Sequence, residues 1–162
     1  MQNTNQIRAK KSLGQNFLKS KIALLAMIKA GEINLNDVVL EIGPGQGALT
    51  EKILETGAKV IAVEKDDRLI EVLNGKFTNQ IKNNQFTLVH GDILEIDLNK
   101  IGLKNHNFKL IANIPYYITG LIFRKFLTIC LYPLLILFFF QCSDETAVPC
   151  IMTMLICICI YF

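Results

Sequence analysis

The stretch Asp37-Val38-Val39-Leu40-Glu41-Ile42-Gly43-Pro44-Gly45-Gln46-Gly47 constrains the fold of this chain more than any other. Its β-branched, apolar first half reads as a buried strand, and glycines at every second position then make a sharp turn. Ala48-Leu49-Thr50-Glu51-Lys52-Ile53-Leu54 follows with helical spacing up to Gly57. A strand, a glycine turn and a helix in succession require a crossover connection, and so a parallel neighbour for the strand.

The alternation continues downstream. Lys59-Val60-Ile61-Ala62-Val63-Glu64 reads as a second buried strand. Asp66 or Asp67 can cap the next helix, whose apolar positions Leu69, Ile70, Leu73 and Phe77 recur at three- and four-residue intervals. Phe86–His90 predicts a third strand ending at Gly91-Asp92, and Leu110–Ala112 a fourth that stops at Asn113-Ile114-Pro115-Tyr116. A helix is predicted over Thr119–Phe126, and a short one over Ile22–Ile28 before the first strand. The expected class is α/β, a mostly parallel sheet covered on both faces.

Composition divides the 162 residues into two unlike parts. All 17 Lys and Arg, and 12 of the 14 Asp and Glu, lie in residues 1–125. All five cysteines (Cys130, Cys142, Cys150, Cys157 and Cys159) lie in the last 37 residues, which hold no Lys, Arg, His or Gly. The first part reads as a cysteine-free, cytosolic, mildly basic protein without the apolar core of a secretory signal. Arg8, Lys10, Lys11, Lys19, Lys21 and Lys29 precede Glu32, the first acidic residue. Such an excess fits a polyanion nearby, or a solvated arm.

Ligands of open parallel sheets bind beyond the C-terminal ends of the strands. Each of the four strand ends carries an informative residue. Gly43, Gly45 and Gly47 follow the G-x-G-x-G spacing, distinct from the G-x-G-x-x-G of dinucleotide sites, and no Lys-Ser/Thr pair makes a P-loop. They let a ligand approach the backbone, or simply make a tight turn. Glu64, 17 residues after Gly47, stands where a carboxylate accepts hydrogen bonds from both ribose hydroxyls; otherwise it is a surface group beside Lys65. Asp92 can accept from an adenine amine with Ile93 against the ring, or cap a helix.

Asn113-Ile114-Pro115-Tyr116 is the sharpest of these signals. An amine conjugated to a base ring is a poor nucleophile because its lone pair is delocalised. A side-chain amide oxygen and a backbone carbonyl can accept its two hydrogens and favour a geometry with the lone pair aimed at an electrophile. Tyr116 offers a face for the base; the bland alternative is a turn with a core tyrosine. Tyr117 is read as either core or site wall. His90 and His106 are read as structural or exposed, so no strong general base is expected. Together the four strand ends describe a nucleoside-bearing cofactor beside an amine pocket, the logic of an S-adenosylmethionine-dependent amino-methyltransferase.

Four ordered motifs over about residues 8–127 carry a resemblance: Ser12-Leu13-Gly14-Gln15-Asn16-Phe17-Leu18, Leu40 through Thr50, Gly91-Asp92-Ile93, and Ala112 through Thr119. They resemble the bacterial small-subunit rRNA adenine dimethyltransferases. The resemblance implies a Rossmann-like methyltransferase fold that converts two adjacent adenosines near the 3′ end of small-subunit rRNA to N6,N6-dimethyladenosine. It implies that Asn16 and Leu18 close over S-adenosyl-L-methionine and that Gly43, with Gly45 and Gly47, lies under its methionine part. Glu64 then binds the ribose, Asp92 with Ile93 the adenine, and Asn113 faces both cofactor and target amine. Pro115 and Tyr116 complete the catalytic loop. Arg8, Lys10, Lys11 and Lys19 would contact rRNA phosphate in the pre-30S particle. The expected protein is a cytoplasmic monomer, free of metal and membrane. Large-subunit rRNA methyltransferases of the macrolide-resistance type share the Asn-Ile-Pro-Tyr loop and are the alternative enzyme; a non-catalytic rRNA-binding assembly factor is the alternative of another class.

Downstream the resemblance fades. Pro133–Gln141 suits the next strand, and a methyltransferase unit is expected over residues 1–141, with 142–162 an apolar, cysteine-rich tail. The family's last strands and its C-terminal helical domain find no counterpart. Pro133 interrupts the first apolar run and Pro149 precedes the second, and each is shorter than the about 20 residues of a spanning helix. The cysteines lack the paired spacing of a zinc site. The expected origin of the tail is an interrupted or shifted reading frame.

Overall fold

The computed structural model describes residues 20–104, 106–113, 116–128, 135–139 and 154–156. Six strands form one sheet in the order β3-β2-β1-β4-β5-β6. They are β1 (Val38–Ile42), β2 (Lys59–Glu64), β3 (Phe86–His90), β4 (Lys109–Asn113), β5 (Leu135–Phe139) and β6 (Met154–Ile156). β1 through β5 run parallel, and β6 pairs antiparallel with β5. The chain winds outward from β1 to β3, then returns to β4 on the other side of β1. The reversal of direction between β1 and β4 is the crevice at which ligands of doubly wound sheets bind.

Side chains alternate along each strand and so feed two separate cores. Val39, Val60, Ala62 and Ile111 pack with Leu24 and Met27 of α1 (Lys21–Ala30), Leu49 and Ile53 of α2 (Ala48–Glu55), and Leu69 and Leu73 of α3 (Asp67–Lys76). Leu40, Ile42, Val63, Leu110 and Ala112 face the opposite layer, built from Leu98, Leu103 and Phe108 and from Ile122 and Phe126 of α5 (Tyr116–Thr128). Burial on both faces is why the central strands read as continuous apolar runs.

The predicted elements recur, with differences at one helix start and in the connections and tail. Helix α5 begins at Tyr116, three residues before the predicted Thr119. Its core stripe is Ile118, Ile122 and Phe126, at four-residue spacing, so the first turn packs on the core as well. Asp66, not Asp67, caps α3: its carboxylate accepts from Arg68 N at 3.2 Å. A five-residue helix α4 (Thr78–Lys82) and a 3-10 turn (Leu98–Ile101) fill connections for which no element is predicted, and β6 lies within the stretch read as a tail. Among the described residues, no helix is long and apolar enough to cross a membrane.

Candidate active site

Parallel register brings the four strand ends to one edge of the sheet. Val63 pairs with Ile42 and Ile42 with Ala112, so Glu64, Gly43 and Asn113 stand side by side as the next residues of β2, β1 and β4. Gly43 N–H donates to Val63 O at 2.9 Å, and Gly91 N–H to Glu64 O at 2.8 Å, which sets Asp92 at the far side of β2. The order along the edge is therefore Asp92, Glu64, Gly43, Asn113. Three inter-strand steps of about 4.8 Å make this row about 14 Å long.

The glycine turn takes the shape its sequence dictates. Gly43, Gly45 and Gly47 have φ of 68°, 59° and 75°, all in the left-handed region that side chains with a Cβ resist. Gly47 N–H closes the turn on Pro44 O at 2.9 Å, and Gly47 serves as the N-cap of α2. A Cβ on Gly47 would stand 2.6 Å from Phe77 Cε2, so this glycine is also where α3 packs against the turn.

Glu64 is buried, and its carboxylate is held from three directions. Oε1 accepts from Asp66 N at 2.8 Å and Lys65 N at 2.9 Å; Oε2 accepts from Gly45 N at 3.1 Å. Burial pushes the carboxyl up from its ordinary pKa, while the three amides pull it down. A carboxylate offers about four lone-pair sites, so Oε2 keeps one for a hydroxyl. The Gly45 bond ties β2 directly to the glycine turn.

Asp92 does two things at once. Its Oδ1 accepts from Leu94 N at 2.9 Å, ordering the turn after β3, and its Oδ2 meets Lys65 Nζ at 2.7 Å. Burial alone would raise this carboxyl, but Lys65 and the Leu94 amide hold it below the ordinary aspartate value. Ile93 beside it is buried in the second core. Lys125 of α5 reaches back to the same turn and donates to Ile96 O at 2.6 Å and Leu94 O at 3.0 Å. Asn113 closes β4, half-buried.

Some expected site residues lie outside the described ones: Arg8, Lys10, Lys11, Asn16, Leu18, Lys19 and Pro115. Tyr116 is the first residue of α5. Tyr117 is 66% exposed, which removes it from the core. His90 is exposed and pairs with Asp67. Among the described residues, no group of three or more His, Cys, Asp or Glu is placed to hold a metal ion.

Two groups escaped the sequence reading. Glu41, at the end of β1, is fully buried and bonded by Thr50 Oγ1 at 2.7 Å. Burial pushes its pKa up to about 7 against the Thr50 bond, with Glu64 adding to the rise. Lys76, at the end of α3, reaches the glycine turn. The carboxylate of Glu41 stood in plain view between two apolar residues of a strand; Lys76 lies 29 residues from its contact and gives no local sign.

Comparison with known proteins agrees with this architecture. A family described as ribosomal RNA adenine dimethylase matches residues 6–148. The ribosomal RNA small subunit methyltransferase A of Dehalococcoides mccartyi is 44% identical over 121 residues, 75% of this chain and 40% of that protein. A crystal structure of a dimethyladenosine transferase from Plasmodium falciparum matches with a TM-score of 0.65 at 29% identity, covering 78% of this chain and 43% of that one. The 23S rRNA methyltransferase ErmE matches with the same TM-score at 25% identity, covering 78% and 48%. The chain thus spans about two fifths of the length of the curated relative, and its fold is the Rossmann-like one of S-adenosylmethionine-dependent methyltransferases.

Proposed function

The chain belongs to the ribosomal RNA adenine dimethylase family, and from that premise we propose that it serves to methylate the N6 amines of two adjacent adenosines near the 3′ end of small-subunit rRNA. The observation that carries this reading is the row Asp92, Glu64, Gly43, Asn113 along one sheet edge. It matches, in sequence, an adenine, a ribose, an amino-acid tail beside a reactive centre, and a target amine.

The residues present fit S-adenosyl-L-methionine as the methyl donor. Glu64 is already oriented by three backbone amides and retains a lone pair for a ribose hydroxyl. Gly43 and Gly45 present no Cβ where the amino-acid tail would lie. Asp92 accepts from the adenine amine, with Ile93 behind it. When bound, the cofactor supplies a methyl group on a sulfonium sulfur, an electrophile that needs no activation by the protein.

The protein's own task is therefore positioning and exclusion of water. The side-chain oxygen of Asn113 and a carbonyl of the Asn113–Tyr116 loop accept the two amine hydrogens and turn the lone pair toward the donor. Tyr116 stacks on the adenine, which must leave its helix to reach this loop. Pro115 belongs to the same catalytic loop. Asn16 and Leu18 close over the cofactor, and Arg8, Lys10, Lys11 and Lys19 hold rRNA phosphates of the pre-30S particle. The methyltransferase unit is residues 1–141, incomplete beside the family's full domain, and it acts in the cytoplasm as a monomer.

Calorimetric titration of the purified chain with S-adenosylmethionine tests the cofactor half of this reading. Saturable binding is expected, and Glu64→Ala is expected to abolish it; a folded chain that binds nothing would overturn the reading. The likeness to ErmE favours a second reading, methylation of large-subunit rRNA. Primer extension on both rRNAs, with and without the gene, separates the two.

A further inference from the structure

Lys76 ends α3, yet its ammonium lies across the glycine turn. Nζ donates to Gly47 O at 3.2 Å and Gln46 O at 3.4 Å, and pairs with Glu51 Oε2 at 2.7 Å. The neighbouring Phe77 ring, 5.1 Å from Nζ, is the group that fills the space a Cβ on Gly47 would need. Gly47 O also accepts from Glu51 N at 3.1 Å, so the lysine is added to a carbonyl already used by α2.

The placement works against the helix. The N-terminus of a helix carries partial positive charge, and a cation there is disfavoured. Glu51, one turn into α2, offsets this cost, and the Lys76 bond in turn holds its carboxyl below the ordinary glutamate value. What the arrangement achieves is attachment: a charge-assisted clasp from α3 onto two consecutive carbonyls at the far end of a turn whose glycine amides are held by Val63, Glu64 and Pro44.

We propose that Lys76 is a positioning residue that holds the glycine turn in the shape that receives the amino-acid end of the methyl donor. This rests on the methyltransferase reading above. Its reach is selective. The clasp acts on Gln46 and Gly47, whereas at the nucleoside end of the row Asp92 is ordered by Lys65 and Leu94, and Glu64 by Asp66, Lys65 and the Gly45 amide that precedes the clasped carbonyls.

The test compares two ligands on the full chain by calorimetry: S-adenosylmethionine and 5′-methylthioadenosine, which keeps the nucleoside and lacks the amino-acid portion. Lys76→Met is expected to weaken the first by about five- to tenfold, the loss of a charged hydrogen-bond donor, and to leave the second within about twofold. Lys76→Arg, which keeps a cationic donor, is expected to restore most of the lost affinity. Unchanged S-adenosylmethionine binding in Lys76→Met overturns the proposal while leaving the methyltransferase reading intact. Equal losses for both ligands, or a Lys76→Met chain unfolded by circular dichroism, also overturn it, because the lysine would then support the domain rather than the turn. Failure of the unsubstituted chain to bind S-adenosylmethionine removes both.

Discussion

Glu41 is a carboxylic acid enclosed at the base of the glycine turn, with one side-chain hydrogen bond and a second carboxylate, Glu64, near enough to oppose its ionisation. Its folded-state pKa of about 7 lies above the ordinary value of 4.5, so the folded protein binds a proton that the unfolded chain has released. The contribution to stability is fully present below pH 4.5 and is lost as pH rises through 7. The shift corresponds to a loss of order 3 kcal/mol between those limits. Glu41→Gln is expected to flatten this dependence and to make the chain more stable than the parent at pH 8; urea unfolding across pH 5–8 measures it, and a parent whose stability does not fall over that range contradicts the assignment. Gly47 makes a second residue-scale prediction. With φ at 75° and Phe77 2.6 Å from its missing Cβ, Gly47→Ala combines backbone strain with overpacking. It is expected to cost about 2–4 kcal/mol by urea unfolding, and a second substitution that shortens Phe77 should recover only the packing part.

Element boundaries show which parts of this molecule are written locally. β2 and β3 match the predicted Lys59–Glu64 and Phe86–His90 because short apolar, β-branched runs bounded by polar residues specify a strand without reference to anything distant, whether largely buried as in β2 or at the sheet edge as in β3. Their order in the sheet, and with it the row of site residues, follows from the crossover rule. α5 is different. Its first turn is set by Ile118 meeting the second core, a tertiary fact that the predicted start at Thr119 leaves out. Lysines are the other illegible class. Lys76, Lys109 and Lys125 look like surface cations in the sequence, but each ties an element to a distant loop. Lys109 Nζ meets Glu32 O and Asp37 Oδ2 at 2.9 Å, at the edge of the sheet opposite the site. Within α5 itself, Phe126 is fully buried against Phe108 with ring centroids 6.1 Å apart. Phe126→Ala is expected to destabilise the domain by about 3–5 kcal/mol, read as a lower urea midpoint, because the sheet behind it limits collapse of the cavity. A cost under 1 kcal/mol would mean that α5 is not docked as described.

At the scale of the whole molecule, the cations divide by what already engages them in the described fold and by where they fall in the sequence. The formal net charge is +3, but the cations are unevenly committed: Lys65, Lys76, Lys109 and Lys125 are engaged with carboxylates or backbone carbonyls. Such groups have little to gain from a phosphate, since each would have to surrender an existing partner first. Arg8, Lys10, Lys11 and Lys19, by contrast, come before any acidic residue in the chain. If rRNA is held by that segment, its neutralisation should reduce the number of counterions released on binding. Each phosphate contact contributes roughly 0.7–0.9 to the slope of log K against log salt, so replacing these four by Gln is expected to lower the slope by about 3. Lys59→Gln, at the start of β2 on the sheet edge away from the site, is expected to leave it unchanged. Filter binding of a small-subunit rRNA fragment between 50 and 200 mM salt measures both. A slope that survives the fourfold replacement would place the RNA on another face, and affinity lost without any change of slope would mean that the segment acts through the fold rather than through phosphate.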